Sequence, residues 1–131
     1  MVGSGLVTLA AIALGGALGS VGRHGMTVYF DHLLGPAFPY GIFIANILGS
    51  AAMGVLFVLI FERGLLSEAW RPLLMVGFLG AFTTFSTFSL QTIGLLQEGR
   101  LLTAAIYTIG SVLLSIAAAY LAMITTRTLS G

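Results

Sequence analysis

The stretch of sequence that decides the fold reads YGIFIANILGSAAMGVLFVLIF at positions 40–61. It contains no charged residue, and its end, from Val55 to Phe61, is apolar at every position. A transmembrane strand would alternate apolar and polar side chains, whereas a membrane-spanning helix needs about 20 predominantly apolar residues. The stretch therefore predicts a transmembrane helix.

Comparable stretches lie on both sides of it along the chain. Of the 131 residues, 58% are hydrophobic and 7% charged, and the charged residues leave four uncharged stretches, at 1–22, 32–61, 72–97 and 101–126. A soluble domain carries about 25% charged residues. We therefore predict an all-α, multi-pass membrane protein with a single domain over residues 1–131, in which four helices cross the lipid bilayer at about 4–22, 40–61, 72–97 and 101–126.

The connections between these spans are short. Residues 23–39 contain Asp31, His32 and two prolines and predict an amphipathic turn, residues 63–71 form a polar loop, and Glu98-Gly99-Arg100 predicts a tight turn. Both histidines then fall in the first connection.

The arginines predict how the chain inserts. Arg63, Arg71 and Arg127 share one side of the predicted bundle, and Arg23 and Arg100 lie on the other. Because an excess of Lys and Arg on cytoplasmic loops sets orientation, this near tie allows insertion both ways up. Small residues at helical spacing, such as Gly15 with Gly19 and Ala45 with Gly49, let helices approach closely. Ordinary packing within the bundle explains each such pair, but together with dual insertion they suggest an antiparallel homodimer.

Composition excludes several classes of function. The chain has no cysteine, its net charge of +1 offers no basic patch for nucleic acid, and no Asp or Glu lies near the centre of a predicted span. A proton-coupled exporter needs a titratable group at membrane depth, and a hydrolytic enzyme needs a nucleophile with a base. The sequence therefore predicts no enzyme, and it favours passive conduction of an anion over a small drug or cation exporter.

The third span has an unusual composition. Residues 77–89 read GFLGAFTTFSTFS, with many hydroxyls, β-branched residues and glycines. This predicts a broken helix, whose free backbone groups bind ions when they line a cavity. The alternative is that Ser and Thr bond back to their own helix. Phe82, Phe85 and Phe88 recur every third residue, with Phe78 one turn earlier, so they predict one aromatic face, which either packs or presents positive ring edges to a small anion.

Polar residues also occur inside the other spans. Asn46 lies in the middle of span two, and Thr103, Tyr107, Ser111 and Ser115 recur every fourth residue of span four. Polar groups in hydrocarbon are costly, so these side chains face either a pathway or a partner helix. At the end of span one, Arg23 either lends a positive field to a vestibule or extends to the lipid headgroups, and the second is the simpler interpretation before any resemblance is considered.

The string GAFTTFSTFS at 80–89 resembles the signature of the Fluc fluoride channels, also called CrcB proteins. Three other segments follow in that family's order and spacing, namely GGALGSVGR at 15–23, residues 41–46 with Gly49, and Tyr107 with Ser111. The resemblance covers nearly the whole chain. It implies an antiparallel, dual-topology homodimer with two fluoride pores in a bacterial inner membrane, which exports fluoride passively and relieves its toxicity.

The resemblance also implies the site residues. The expected pore residues are Asn46, Phe85, Phe88, Tyr107, Ser111, Ser86 and Thr87, and Arg23 is the expected vestibule residue. A structural sodium ion is expected between the subunits, held by the backbone carbonyls of Gly80 and Thr83. Two positions depart from the family pattern, since Ile42 replaces a threonine and Gln91 replaces an acid. Some family members pair unlike subunits, so one subunit of a heterodimer stays an alternative.

Overall fold

The computed structural model describes residues 2–131, with side chains from residue 4 onward, and this part of the chain contains helices and turns but no β-strand. The helices are α1 (Val2–Leu34), α2 (Tyr40–Phe57), α3 (Gly80–Phe82), α4 (Ser86–Gln97) and α5 (Leu101–Ser130). Four helical segments are long and apolar enough to cross a membrane. The predicted all-α class with four spans is thus confirmed.

Helix α1 is longer than the first predicted span. It continues to Leu34, where Gly35 has φ +87 and donates its N–H to the carbonyl of Asp31 at 2.9 Å. Glycine adopts this left-handed conformation without the penalty of a Cβ, so it ends the helix. The predicted turn from Arg23 was wrong, because charged residues mark where apolar sequence ends and not where the helix ends. His24 and His32 accordingly lie on α1, and the connection to α2 is only 35–39.

The third span is interrupted. Residues Pro72–Leu79 form a π-helix, α3 adds one turn, and the helix stops at Thr83, whose backbone is extended with φ −85 and ψ 157. The chain becomes helical again at Ser86 in α4. The predicted break is confirmed, and it lies between two halves that both belong to the third span.

Glycines bring the third span close to α1 and α2. A Cβ on Gly15 would overlap the carbonyl oxygen of Leu73, and one on Gly19 would overlap that of Phe78. On α2, a Cβ on Gly49 would overlap the methyl group of Thr83. Packing within the chain therefore explains these small residues, and it places the break against the middle of α2.

The ends of α2 and α5 are tied together outside the core. After Phe57 the chain makes a π-helical turn, Val58–Glu62. The Arg127 guanidinium donates to both carboxylate oxygens of Glu62, at 2.8 and 2.7 Å, and Arg63 donates to the Arg127 carbonyl at 3.1 Å. At the other end of α5, Arg100 donates to the carbonyl of Ala37. These contacts fix α5 alongside α2, and both helices contribute residues to the lining of the cavity described next.

Candidate functional site

The break in the third span is held by Asn46. The backbone N–H of Thr84 donates to Asn46 Oδ1 at 2.8 Å, and Asn46 Nδ2 donates to the Thr84 carbonyl at 3.1 Å. An asparagine side chain thus replaces the two backbone hydrogen bonds that Thr84 would make in a continuous helix. Of the two interpretations of Asn46, interhelical bonding is confirmed, and the residue also lines the cavity described below.

Two carbonyls at the break lose their helical donors. In a continuous helix the carbonyl of Gly80 would accept from the N–H of Thr84, which here donates to Asn46. The carbonyl of Thr83 would accept from the N–H of Thr87, which here donates to Thr84 Oγ1 at 3.2 Å. The chain thereby frees two backbone oxygens at the break, and such oxygens suit a hard cation.

Some of the hydroxyls in this region bond locally. Thr83 Oγ1 donates to the Leu79 carbonyl at 2.8 Å, and Ser89 Oγ donates to the Phe85 carbonyl at 2.9 Å. The alternative drawn from the sequence, back-bonding by Ser and Thr, therefore holds alongside the break. The hydroxyl of Ser86 lies 3.5 Å from that of Thr84.

Arg23 reaches the same break from α1. Its Nε donates to the Ala81 carbonyl at 3.0 Å, and its Nη1 donates to Thr87 Oγ1 at 3.2 Å. The simpler interpretation, extension to the headgroups, was wrong. The reason is that α1 continues beyond Arg23, so this side chain leaves the helix inside the bundle and not at its end.

A cavity of about 530 Å³ lies on the α5 side of the break. Its walls come from α2, from the break and from α5. It brings together six of the residues expected at the site, namely Asn46, Gly80, Thr83, Phe85, Phe88 and Ser111. Ser86, Thr87, Tyr107 and Arg23 lie outside its lining, although Tyr107 touches Phe88.

The cavity contains polar atoms without partners. Among the described residues, Ser111 Oγ and Ser115 Oγ are buried and make no hydrogen bond, and Ser111 is only 6% exposed. Buried hydroxyls are normally bonded, because an unbonded one costs about 1–3 kcal/mol. Both line the cavity, together with side chains that carry no ionisable group. Ser115 was not among the expected pore residues, although its spacing of four from Ser111 was the signal that identifies it.

The four phenylalanines do not share one face. Phe78 and Phe82 stack on each other at 5.6 Å, near Gly22 of α1. Phe85 and Phe88 lie beyond the break, 5.6 Å apart and inclined by 60°. The extended residue Thr83 redirects the chain, so a period of three that assumes a continuous helix fails here. Only the second pair lines the cavity, with Phe88 7% and Phe85 76% exposed.

Tyr107 is fully buried beside this pair. Its ring lies 5.1 Å from that of Phe88, and its hydroxyl donates to Gln91 Oε1 at 2.6 Å. A tyrosine hydroxyl has one proton to donate, so in this arrangement it is used by Gln91. Ile42, 2% exposed, belongs to the same apolar cluster. Gln91 in turn lines a second cavity, of about 350 Å³, near the 35–39 connection.

Comparison with known proteins gives a consistent result. Residues 10–123 match the family described as CrcB-like protein, Camphor Resistance (CrcB). The chain is 48% identical over 119 residues to the fluoride-specific ion channel FluC of Magnetococcus marinus, covering 91% of this chain and 97% of that protein. It is 42% identical over 127 residues to the FluC of Saccharophagus degradans, covering 95% and 92%. It is 45% identical over 121 residues to the FluC of Coxiella burnetii, covering 90% and 96%.

Proposed function

The chain belongs to the CrcB family, and from that premise we propose that it is a fluoride-selective channel of a bacterial inner membrane. It lets fluoride leave the cell passively and so relieves fluoride toxicity. The relatives that carry the name of an ion channel align over nearly their whole length with this chain. This agrees with the predictions of a multi-pass membrane protein and of a protein that is not an enzyme.

The observation that carries the proposal is the unbonded Ser111 hydroxyl in a cavity with aromatic walls. Fluoride is small and strongly hydrated, so a pore must replace its water with close hydrogen-bond donors. Ser111 Oγ is buried and free to donate, and the rings of Phe85 and Phe88 border the same space. Ring edges carry partial positive charge, so they attract an anion without binding it as tightly as a fixed cation would.

The expected pore residues divide into those that line the cavity and those that lie outside its lining. Asn46, Phe85, Phe88 and Ser111 line one cavity, and Tyr107 supports Phe88 from behind. Ser86 and Thr87 lie outside the lining, at the start of α4. We therefore assign direct contact with the anion to the first four, and we propose that Ser86 and Thr87 act at the entrance from the break. Arg23 remains the proposed vestibule residue through its positive charge.

The alternative of a drug or cation exporter lacks its essential group. Such an exporter needs a carboxylate facing the pathway, and no lining residue of the cavity at the break is acidic. Asp31 lies near the end of α1, and its Oδ1 accepts from the backbone N–H of Gly41 at 3.2 Å, where it supports the start of α2. A subunit of a heterodimeric fluoride channel stays the second candidate, because Ile42 and Gln91 depart from the family pattern.

We also propose a structural sodium ion at the break. No group of three or more His, Asp or Glu side chains among the described residues is placed to hold a metal. A cation at this depth would therefore rely on backbone oxygens, and the carbonyls of Gly80 and Thr83 have lost their helical donors. Two such carbonyls give too few ligands by themselves, so the ion needs the same pair from a second subunit. When bound, it would fix the two breaks against each other.

The proposed assembly is an antiparallel homodimer. In one chain the cavity is open, and Phe85 on its wall is 76% exposed. A large aromatic side chain that faces a pathway needs a partner surface to exclude lipid, and a second copy of the chain would provide it. The shared sodium ion requires the same arrangement.

Fluoride efflux from liposomes tests the proposed function. The purified chain alone is reconstituted, potassium with valinomycin carries the compensating charge, and chloride efflux is measured in parallel. We expect rapid loss of fluoride with little loss of chloride. Correctly folded dimers that release no fluoride would favour the heterodimer, and equal loss of both anions would contradict selectivity.

A further inference from the structure

We propose that Arg23 is a positioning residue that braces the broken third helix, joining its two halves across the break. The two acceptors of its guanidinium lie on opposite sides of the gap. Ala81, whose carbonyl accepts from Nε, belongs to α3, and Thr87, whose hydroxyl accepts from Nη1, lies in the first turn of α4. The effect on flux rests on the proposed function, but the geometry of the brace does not.

The first acceptor, the Ala81 carbonyl, is left without a helical donor by the break. In a continuous helix the carbonyl of Ala81 would accept from the N–H of Phe85. The chain leaves the helix at Thr83, whose ψ is 157, so this bond is lost and Arg23 Nε supplies the donor instead. An unsatisfied carbonyl at membrane depth would be costly, and Arg23 removes that cost.

The backbone of Arg23 is held against the first half of the broken helix. Gly19 is so close to Phe78 that a Cβ would overlap its carbonyl oxygen, and a Cβ on Gly22 would lie 3.5 Å from the ring of Phe82. From this anchored position the side chain extends to Thr87 in the second half. Because a guanidinium is planar and its donors have fixed directions, the two bonds together set the distance between the halves.

Charge alone does not explain where the guanidinium lies. Helix α4 begins at Ser86, and the beginning of a helix carries a partial positive charge that disfavours a nearby cation. The first half of the span ends beside it at Phe82, and the partial negative charge of that end favours a cation. Because the two helix ends act in opposite directions, the two hydrogen bonds are needed to explain the position of the side chain. Asn46 fixes the centre of the break from α2, and Arg23 fixes its two edges from α1.

The brace can be measured without any ion flux. The chain has no cysteine, so Val76→Cys and Leu90→Cys place the only two spin labels, one on each half of the third span and both at exposed positions. Pulsed electron paramagnetic resonance on labelled chain, diluted with unlabelled chain, gives the distribution of distances between them. We expect one narrow distribution for the otherwise unchanged chain.

Substitutions separate a brace from a charge. Arg23→Lys keeps the charge but cannot bridge two acceptors with a planar fork, and Thr87→Val removes only the acceptor hydroxyl. We expect each to broaden or shift the distance distribution and to lower fluoride flux by about tenfold or more, the scale of one lost charge-assisted hydrogen bond. The double variant should lower flux no further than Arg23→Lys alone, because both changes remove the same bond.

Matched controls come from α4 itself. Thr92 Oγ1 donates only to the Phe88 carbonyl of its own helix, at 2.9 Å, so Thr92→Val should change neither distance nor flux. Thr87→Ser keeps the hydroxyl and should keep the narrow distribution. An unchanged distribution in Arg23→Lys, or equal behaviour of Thr87→Val and Thr92→Val, would overturn the brace. If the parent chain conducts no fluoride, the proposed function fails while the distance measurement still decides on the brace.

Discussion

At the scale of single residues, the two serines of α5 and the rings of Phe85 and Phe88 determine what the cavity can bind. A hydroxyl that is buried and unbonded lowers the stability of a protein unless a ligand uses it. Ser111 and Ser115 are both in this condition, one turn apart on the same wall. The sequence identified their common face, but only the fold shows that no neighbouring side chain satisfies them.

The first prediction concerns Ser111. Replacement by alanine removes the proposed donor to the anion, so fluoride flux should fall by about tenfold, the equivalent of one hydrogen bond to a charged group. The same change removes a buried unbonded hydroxyl, so thermal stability in detergent should stay the same or rise. Ser89→Ala is the control, since Ser89 bonds its own helix at the Phe85 carbonyl and lies outside the cavity lining. Lower stability together with full flux in Ser111→Ala would assign the residue to packing.

The second prediction separates the two phenylalanines. Phe85 is 76% exposed and Phe88 7% exposed, and Phe88 packs on Tyr107. Replacing either by isoleucine removes a ring edge, and we expect fluoride flux to drop sharply in both variants. Stability should differ, with a loss of about 1–2 kcal/mol for Phe88→Ile and less than about 0.5 kcal/mol for Phe85→Ile. Flux assays and thermal unfolding on the same preparations check this, and wild-type flux in both would mean that the pair only packs.

At the scale of helical elements, the break is the feature on which the site depends. Asn46 bonds both backbone groups of Thr84, which frees the Gly80 carbonyl from its helical partner. Broken helices at membrane depth are stable only where other groups satisfy the freed backbone. One asparagine on α2 thus stabilises the break and forms part of the cavity wall.

The third prediction tests this double role. Asn46→Asp keeps an acceptor for the Thr84 N–H, loses the donor to the Thr84 carbonyl, and places a negative charge on the cavity wall, so fluoride flux should fall to background. Asn46→Ala loses both bonds and should lower stability by about 1–3 kcal/mol for each group left unpaired. Efflux and thermal unfolding are measured for both. Retained flux in Asn46→Asp would show that the residue only holds the break.

The fourth prediction concerns the contact between α1 and the third span. A Cβ on Gly15 would overlap the Leu73 carbonyl, which belongs to backbone and cannot rotate away. Gly15→Ala should therefore lower stability by about 1–3 kcal/mol. Gly94→Ala serves as the control, because a Cβ added at this helical position would meet no packing neighbour within 4 Å, and it should be neutral or slightly stabilising. Equal thermal stability of the two variants would mean that the helices separate at little cost.

At the scale of the whole molecule, the structure changes the argument for how the chain is oriented in the membrane. The near tie between the arginine counts on the two sides of the bundle depended on placing Arg23 in a loop. The structure instead places its guanidinium at the break. Without Arg23, the count is three arginines on one side of the bundle, Arg63, Arg71 and Arg127, against Arg100 on the other. The arginine count no longer supports dual insertion by itself, although the open cavity and the unpaired carbonyls still favour an antiparallel pair.

The fifth prediction measures orientation directly. Because the chain has no cysteine, each single substitution introduces one reactive thiol. The variants Leu65→Cys, in the 63–71 loop, and Glu98→Cys, at the opposite end of the bundle, are compared in intact cells. With dual topology, a membrane-impermeant maleimide should label about half of each variant. Full labelling of one site and none of the other would establish a single orientation, which contradicts the antiparallel homodimer and favours pairing with an unlike subunit.

The sequence by itself determined the class of this protein and the place of its break. Long uncharged stretches leave no alternative to membrane helices. The stretch GAFTTFSTFS at 80–89 is rich in residues that weaken a helix, and it is also typical of one family. The sequence also identified six of the residues that line the cavity. Among them, Asn46 and Ser111 stood out because polar side chains are rare in hydrocarbon and are therefore informative where they occur.

Only the tertiary structure decided which partner each polar group has. The partners of Asn46, Arg23 and Tyr107 lie 38, 58 and 16 residues away along the chain, which local periodicity does not reach. The extent of α1 and the separation of the phenylalanines into two pairs were also decided by the fold. Composition shows where the apolar sequence ends, and a prediction from periodicity treats the helix inside it as continuous. Where each helix really ends or breaks is determined by capping, close packing and hydrogen bonds from neighbouring helices.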